Sequence, residues 1–514
     1  MLKKSNLYNF FIPSIADIFF IIVFLSLSLF GSKRLLFDCD TGYHIRIGDF
    51  IVNTLTIPRH DIFSFTSPPL PWMAYEWMSG VIMSLIHTRM GLTGIVLFFA
   101  FVIALTFSLF FRIMKSYKAD MLISVFLVSL VIGTASIHWL ARPHIFSLFL
   151  MVIWYYILDL YQYRGKNYLY FLPLLILIWV NLHQGFIIAF ILNGIYLLGN
   201  FVKFLFTKKN DKVLWINKAK SLSFITIICL LISLVNPYGY RLLILPFTLM
   251  SSKFVTYNIS EFLSPNFHES MPFTYLLFFM IIIFSLSKVG LDIIELVLIV
   301  SFTYMALHSA RFIPLFAIIS APIILKYADK MMRESRGKII DFVRIRSKNI
   351  ETIDSSSRGH IWPVLTLIII LSISFNGKIS YSFDSKIKPV EASKFLNSEK
   401  LAGNTFNDAE FGDYIIYSMW PKYKVFICAE IYSEDRLKEY YRVKRIEPEW
   451  NAVLDKYNIN WIIDKKDSAL STLLLERKDW KIIYVDKVAA IFVRNMPENR
   501  YFIEKYSSAP GGED

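Results

Sequence analysis

Two carboxylates one residue apart, Asp38 and Asp40, follow closely on the first long apolar run of the chain. A carboxylate there can take the proton from a hydroxyl that attacks a donor whose head group sits at a lipid surface. Two carboxylates can alternatively share a hard divalent cation that offsets phosphate charge. A bare D-x-D is a weak signal, and its position after the first run is what gives it weight. Further ionisable and amide side chains stand at the ends of apolar runs: His44, Glu76, Arg142, His144, Asn181, His183, His308 and Arg311. Arginine suits two phosphate oxygens at once through its planar fork, and histidine can donate to them. Lys33 and Arg34 stand close enough in sequence to join that set. Any one of these residues alone reads as well as an interfacial side chain that snorkels or caps a helix. Their convergence on one side of the apolar runs favours a site, because polar groups are costly to keep there.

The elements that must position them are set by composition. Of 514 residues, 55% are hydrophobic and 18% charged, with a mean hydropathy of +0.49. A soluble chain would carry about a quarter charged residues. Apolar runs at 11–31, 92–111, 121–138, 144–160, 168–182, 186–206, 222–235, 272–286, 291–307, 312–325 and 361–375 predict about eleven membrane helices, since a crossing takes roughly 17–25 residues and lipid forces the backbone to satisfy itself. No small-residue cleavage site follows the first run, which therefore reads as a retained anchor. The segment 77–87 is short between polar ends and predicts a half-buried or re-entrant helix.

Net charge is +14, yet the basic residues gather in short loops, at 115–118, 164–166 and 208–220, and in the connector 328–360. That is the pattern of cytoplasmic loops. Nucleic-acid binding is disfavoured, because no folded segment interleaves basic residues with exposed aromatics. Alternate counting then puts the loop 32–75, every candidate residue named above, and the tail on the outer side. Within that loop Tyr43, Ile47, Phe50, Ile51 and Leu55 form a helical stripe suited to lying in the interface.

After residue 375 the composition changes. The segment 376–514 predicts a separate α/β domain, with strands in KVFICAE, NINWIID, KIIYVD and AAIFVRN between helices. Asn407, Asp408, Glu410 and Trp420 offer a sugar- or peptide-facing surface there, though a solvated loop and a core tryptophan are the commoner outcome. The three cysteines make no framework and no zinc spacing; Cys39 and Cys428, both on the outer side, leave one bridge open. No internal repeat and no glycine-rich phosphate loop is visible.

A first outer loop with acids just after the first helix, followed by a membrane-parallel helix, resembles the GT-C superfamily of polyprenyl-phosphate-dependent glycosyltransferases. DCDTGYHIRIGDFIVNTLTIPRHDIFSFT, PWMAYEWMS, ARPHIFSLF, WVNLHQGF, NPYGYRLL, EFLSPNF, HSARFIPLF and, in the tail, FNDAEFGDYIIYSMWPKYKVFI resemble a widespread group of prokaryotic membrane proteins described as glycosyltransferase-like. The resemblance implies a membrane α-helical bundle of about eleven crossings plus a partial helix (1–375) and a C-terminal soluble α/β domain (376–514) outside the cytoplasmic membrane. It implies a polyprenyl-phosphate-linked sugar donor, a glycan, lipid or protein acceptor, and membrane lipids as partners. Asp38 takes the place of the acid that acts as catalytic base or binds the acceptor, with Asp40 as helper or metal ligand. Two departures stand out: no second D-x-D motif follows in a later outer loop, and Cys428 occupies a place where a polar or acidic residue is expected. The rival reading is a non-catalytic transporter, lipid-handling protein or scaffold of envelope polysaccharide biogenesis. A transporter would favour broken helices and an inverted repeat.

Overall fold

The computed structural model describes residues 9–66, 72–208, 211–428 and 433–506. Every apolar run of the sequence is helical. Among the described residues, seven helices are long and apolar enough to cross a membrane: Asn9–Phe30, Trp77–Ser116, Met121–His138, His144–Tyr163, Gln184–Phe206, Lys212–Ile232 and Ala310–Glu334. Leu169–Leu182, Pro272–Leu286 and Ile293–His308 are shorter apolar helices, and Lys338–Ser356 meets Ile361–Phe375 at a bend of 71°. The chain is a multi-pass membrane protein.

The principal helices are α1 (Ile15–Leu25), α2 (Asp40–Thr54), α3 (Trp77–Ser116), α4 (Met121–Ala135), α5 (His144–Tyr163), α6 (Leu172–Leu182), α7 (Ile187–Phe206), α8 (Lys212–Ile232), α9 (Arg241–Ser251), α10 (Pro272–Leu286), α11 (Ile293–His308), α12 (Ile313–Glu334), α13 (Lys338–Ser356) and α14 (Ile361–Phe375). Phe99, Phe107 and Phe111 of α3 are fully buried, as are Phe316 and Ile319 of α12, so these two helices form the centre of the bundle. Peripheral α8 instead exposes Phe224, Ile227 and Leu231, the apolar surface that lipid covers. Apolar packing between helices gains little in lipid, and polar pairs do part of the pinning. Trp154 of α5 donates to Asn193 of α7 at 3.0 Å, and Gln162 and Asn200 exchange amide hydrogen bonds at 3.1 and 2.9 Å.

The segment expected to stand as a separate partial helix is the first part of α3. At 40 residues α3 is about 60 Å long, roughly twice the thickness of a hydrocarbon core. Gly91, at φ 59° and ψ −156°, breaks it. Such a backbone suits glycine, and it lets the preceding turns lie against α2. There a methyl group built on Gly48 would sit 2.0 Å from the Gly80 carbonyl oxygen, so the two helices touch backbone to backbone.

Tail residues form helices α15 (Val390–Glu399), α16 (Ala409–Met419), α17 (Glu434–Lys444), α18 (Trp450–Lys456), α19 (Ala469–Glu476) and α20 (Arg500–Tyr506) around four strands, β1 (Asn404–Asn407), β2 (Ile459–Lys465), β3 (Trp480–Val485) and β4 (Ala489–Arg494). The sheet order is β1-β2-β4-β3, with β1 parallel to β2 and the other pairs antiparallel. KVFICAE is not a strand over its described residues, Ala429 and Glu430 lying outside them. Its Val425 makes only an isolated bridge to Ser64 of the first loop, and the Asn407 side chain takes the Phe426 amide at 2.8 Å. The loop and the tail share one core: Tyr43, Ile47, Ile51 and Phe63 are buried together with Phe411, Ile415 and Met419. The stripe on α2 that looked suited to lipid is therefore covered by protein, except for Leu55, which is 89% exposed.

Candidate active site

Arg142 lies in the turn before α5 and Asp38 and Asp40 at the start of α2, and the backbone fixes their approach. Ala141 donates to the Leu35 carbonyl at 2.8 Å, and Thr41 Oγ1 donates to the Ala141 carbonyl at 3.0 Å. The guanidinium then meets three carboxylates. Its Nε donates to Asp38 Oδ1 at 2.9 Å, Nη2 reaches Asp38 Oδ2 at 2.5 Å and Asp40 Oδ2 at 2.7 Å, and Nη1 donates to Glu261 Oε1 at 2.8 Å. Burial works against the arginine's charge, but Asp38, Asp40 and Glu261 reverse that and hold its pKa well above the ordinary value. Burial would also raise Glu261; Arg142 and then Arg311 instead draw it down to about 2. These carboxylates do not suit a divalent cation, since the guanidinium fills the space between them. Among the described residues no group of three or more His, Cys, Asp or Glu is placed to hold a metal.

Beside this knot opens a cavity of about 600 Å³. Glu76, at the start of α3, forms part of its floor and is bracketed by His44 Nε2 and His183 Nε2, each at 3.3 Å. Proton placement on His183 follows from its neighbours. The Gly185 amide donates to Nδ1 at 2.9 Å, which makes Nδ1 an acceptor and puts the proton on Nε2, toward Glu76. Ser147 Oγ, 2.6 Å from the same Nδ1, donates to it while accepting from Trp179 Nε1 at 2.6 Å. Burial, and then Arg311, keeps the His183 imidazole neutral by pulling its pKa well down. Burial, with Arg142 and His144 after it, lowers His44 to about 3. His144 Nε2 donates to the His138 carbonyl at 2.7 Å. Two buried ring nitrogens, His44 Nδ1 and His138 Nε2, have no hydrogen-bond partner among the described residues.

Above this polar floor the walls are apolar. Ile187, Ile188 and Ile191 of α7, Phe247 and Met250 of α9, Tyr304 of α11 and Leu315 of α12 line it, with Arg311 and His308 at the inner ends of the last two helices. Arg311 stacks over the Phe262 ring at 5.4 Å.

Of the residues singled out in the sequence, His44, Glu76, Arg142, His144, His183, His308 and Arg311 line the cavity together. Asp38 and Asp40 do not line it themselves, and both pair with Arg142, which does. Asn181 is not brought in: it accepts from Trp77 Nε1 at 2.9 Å and donates to the Val235 carbonyl at 3.1 Å, tying α3 to α6. Lys33 pairs with Asp384 of the tail at 3.2 Å, and Arg34 bonds the Ser136 carbonyl, so neither serves the site. Asn407 and Asp408 are buried, Asp408 capping α16 and pairing with Lys444 at 2.7 Å, and Trp420 packs on Phe63, which leaves no ligand surface at Asn407 and Asp408. Cys39 and Cys428 are both buried, and no disulfide joins them. His138, Ser147 and Gln184 were not chosen from sequence. Ser147 and His138 sit within six residues of His144, and that proximity was the available signal.

No protein-family model and no curated protein sequence matches the chain. Solved structures do. The archaeal oligosaccharyltransferase AglB of Archaeoglobus fulgidus, solved with an inhibitory peptide and a dolichol-phosphate, superposes with a TM-score of 0.56 at 12% identity, over 88% of this chain and 69% of that one. The apo form of the Archaeoglobus fulgidus oligosaccharyltransferase gives 0.55 at 11%, over 88% and 69%. ArnT of Cupriavidus metallidurans, solved with undecaprenyl phosphate, gives 0.49 at 10%, over 93% and 98%. The chain shares the fold of the two Archaeoglobus fulgidus oligosaccharyltransferase structures.

Proposed function

From the GT-C fold of this chain we propose that it is a glycosyltransferase that moves a sugar from a polyprenyl-phosphate donor to an acceptor on the outer side of the cytoplasmic membrane. The observation that carries this reading is the cavity itself. Apolar walls from α7, α9, α11 and α12 run down to a floor holding Arg142, Arg311 and the uncharged imidazoles of His44 and His183, a shape that matches a lipid chain ending in a phosphate. A dolichol-phosphate accompanies the AglB structure, which supports the same class of donor here.

In this reading Arg142 and Arg311 hold the phosphate and His44 and His138 supply the two unpartnered ring nitrogens to the sugar or phosphate. Both oxygens of Asp38 are engaged by Arg142. A phosphate arriving at the guanidinium competes for it and leaves a carboxylate free to accept the acceptor's proton, so donor binding readies the base. Transfer is one displacement: the acceptor oxygen bonds to the anomeric carbon, the bond from that carbon to the phosphate oxygen breaks, and the acceptor proton passes to Asp38. The polyprenyl phosphate leaves as the anion that the arginines already neutralise. Asp40 keeps Arg142 in place while Asp38 is released.

The experiment is transfer from a panel of polyprenyl-phosphate sugars to mixed envelope acceptors by purified protein, with native and Asp38→Asn chains side by side. Glycosylated product with the native chain, and a large loss with the variant, is the expected result. Full turnover in Asp38→Asn removes that residue from its role.

A further inference from the structure

A second cavity, of about 400 Å³, lies at the other end of the same helices. His144 and Asp159 are 15 residues apart on α5, about 22 Å along the axis. His308 and Glu295 bracket α11 in the same way, and Arg311 and Lys326 bracket α12. The two cavities therefore face opposite sides of the bundle, and the proposed transfer reaction uses nothing at this second end.

Its lining is a set of tyrosines and paired charges. Glu295 is fully engaged, by Lys326 Nζ at 2.7 Å and the Tyr327 hydroxyl at 2.8 Å. The others are not. Tyr196 is completely buried, and its hydroxyl has no hydrogen-bond partner among the described residues. Asp159 is 5% exposed and one carboxylate oxygen, Oδ2, accepts no hydrogen bond, with Arg164 Nε at 3.7 Å. Arg164 lies over the Tyr117 ring at 4.2 Å and uses Nη1 on the Ser116 carbonyl at 2.9 Å, while its Nη2 is buried without a partner. Leaving such groups unmet is costly, and all three line one cavity. Two are donors and one is an anionic acceptor. A ligand that carries both an anionic oxygen cluster and an N–H cation meets all three at once.

We propose that this cavity binds a phospholipid head group of the phosphoethanolamine class, its phosphate taken by Arg164 and Tyr196 and its ammonium by Asp159. The position agrees. Lys326, with its side chain 52% exposed, and Tyr163, 40% exposed at the end of α5, stand at its rim, while Leu298, Pro322 and Ile323 supply an apolar side for the first carbons of the tails. A free phosphate alone would meet the Asp159 charge, and a plain glycerol head group would leave Asp159 no cation but Arg164, the guanidinium that the phosphate itself takes.

The test uses the full chain in micelles with equal amounts of phosphatidylethanolamine, phosphatidylglycerol and phosphatidylcholine, with retained lipid counted by native mass spectrometry. Phosphatidylethanolamine is expected to exceed each of the others by about tenfold, the worth of one charge-assisted hydrogen bond. Phosphatidylcholine is the sharp control, since its amine keeps the charge but has no N–H for Asp159. Asp159→Asn and Tyr196→Phe should each bring that preference close to one. Tyr196→Phe removes only a partnerless hydroxyl and should melt no lower than the native chain, so its loss of selectivity cannot come from unfolding. Displacement by soluble phosphoethanolamine identifies a free phosphoamine as the source, and resistance to it identifies the lipid; both keep the site. Equal retention of the three lipids, or an unchanged preference in both variants, overturns it.

Discussion

Arg142 and Asp38 meet in a two-point contact, Nε to Oδ1 at 2.9 Å and Nη2 to Oδ2 at 2.5 Å, while the same guanidinium also serves Asp40 and Glu261. One cation thus pairs with three carboxylates that come from the first loop and from the segment before α10. Arg142→Ala should cost about 3–5 kcal/mol, as for a buried ion pair that loses one partner. Arg142→Lys should recover only part of it, because an ammonium restores the charge without the fork. Thermal unfolding of detergent-purified protein measures both.

Acid should destabilise the chain in two stages. His44 titrates near 3 in the fold against an ordinary 6.5, so from pH 6.5 downward the unfolded chain takes a proton that the folded chain refuses. Glu261 titrates near 2 against an ordinary 4.5, so its contribution is present above pH 4.5 and is lost as pH falls toward 2. Each group can steepen the decline by at most about 1.4 kcal/mol per pH unit within its own window. His44→Gln should make the upper stage shallower without abolishing it, because His183 is also held neutral in the fold. Unfolding midpoints in urea between pH 7 and pH 2 give the profile.

Gly48→Ala should force α2 and α3 apart, since the added methyl would sit 2.0 Å from the Gly80 carbonyl oxygen and backbone cannot yield there. Overpacking of this kind costs about 1–3 kcal/mol, and the shift would be passed to Glu76 and His44, which these two helices carry. Gly194→Ala on α7 is the control. Nothing lies within 4 Å of its added methyl, and helix propensity should make it neutral or slightly stabilising.

The apolar runs gave the bundle away because lipid allows a long apolar segment almost one conformation. His44, Glu76, Arg142, His144, His183, His308 and Arg311 could be picked out because each interrupts or ends such a run. The pattern could not show what each side chain then does. Asn181 and Arg34 have the same sequence context as their neighbours, yet both are spent on backbone carbonyls. The stripe on α2 has the spacing of an interfacial helix, and only the tail's Phe411 and Ile415, far off in sequence, turn it into a core. Likewise KVFICAE alternates as a strand should, but Asn407 and the first loop take its hydrogen bonds from the side.

Sidedness is open to a direct measurement. Basic loops cluster at the α13 end, and under the positive-inside rule that end faces the cytoplasm. An impermeant maleimide should label His60→Cys in intact cells and should label Lys338→Cys only after the membrane is opened. Both positions are exposed, so access depends on side alone. The reverse pattern would place the candidate site in the cytoplasm and remove the proposed outer-face transfer.

The last expectation separates the base from the phosphate holders by kinetics. Asp38→Asn keeps the shape and one acceptor oxygen but cannot take the acceptor's proton, so turnover should fall by roughly 10²–10⁴-fold. Donor KM should change little or drop, because the amide competes less well than a carboxylate for Arg142 and leaves the guanidinium freer for phosphate. Arg311→Ala should do the opposite. In the fold it lies over the Phe262 ring at 5.4 Å and acts on Glu261 through its charge, and losing one charge-assisted contact to phosphate should raise donor KM by about 10- to 100-fold. A scaffold or lipid carrier with the same architecture gives neither split, since no product forms to be slowed. Steady-state transfer with the donor varied at saturating acceptor decides it: kcat must fall with Asp38→Asn and KM must rise with Arg311→Ala, and equal effects of both variants on both constants would dissolve the assignment.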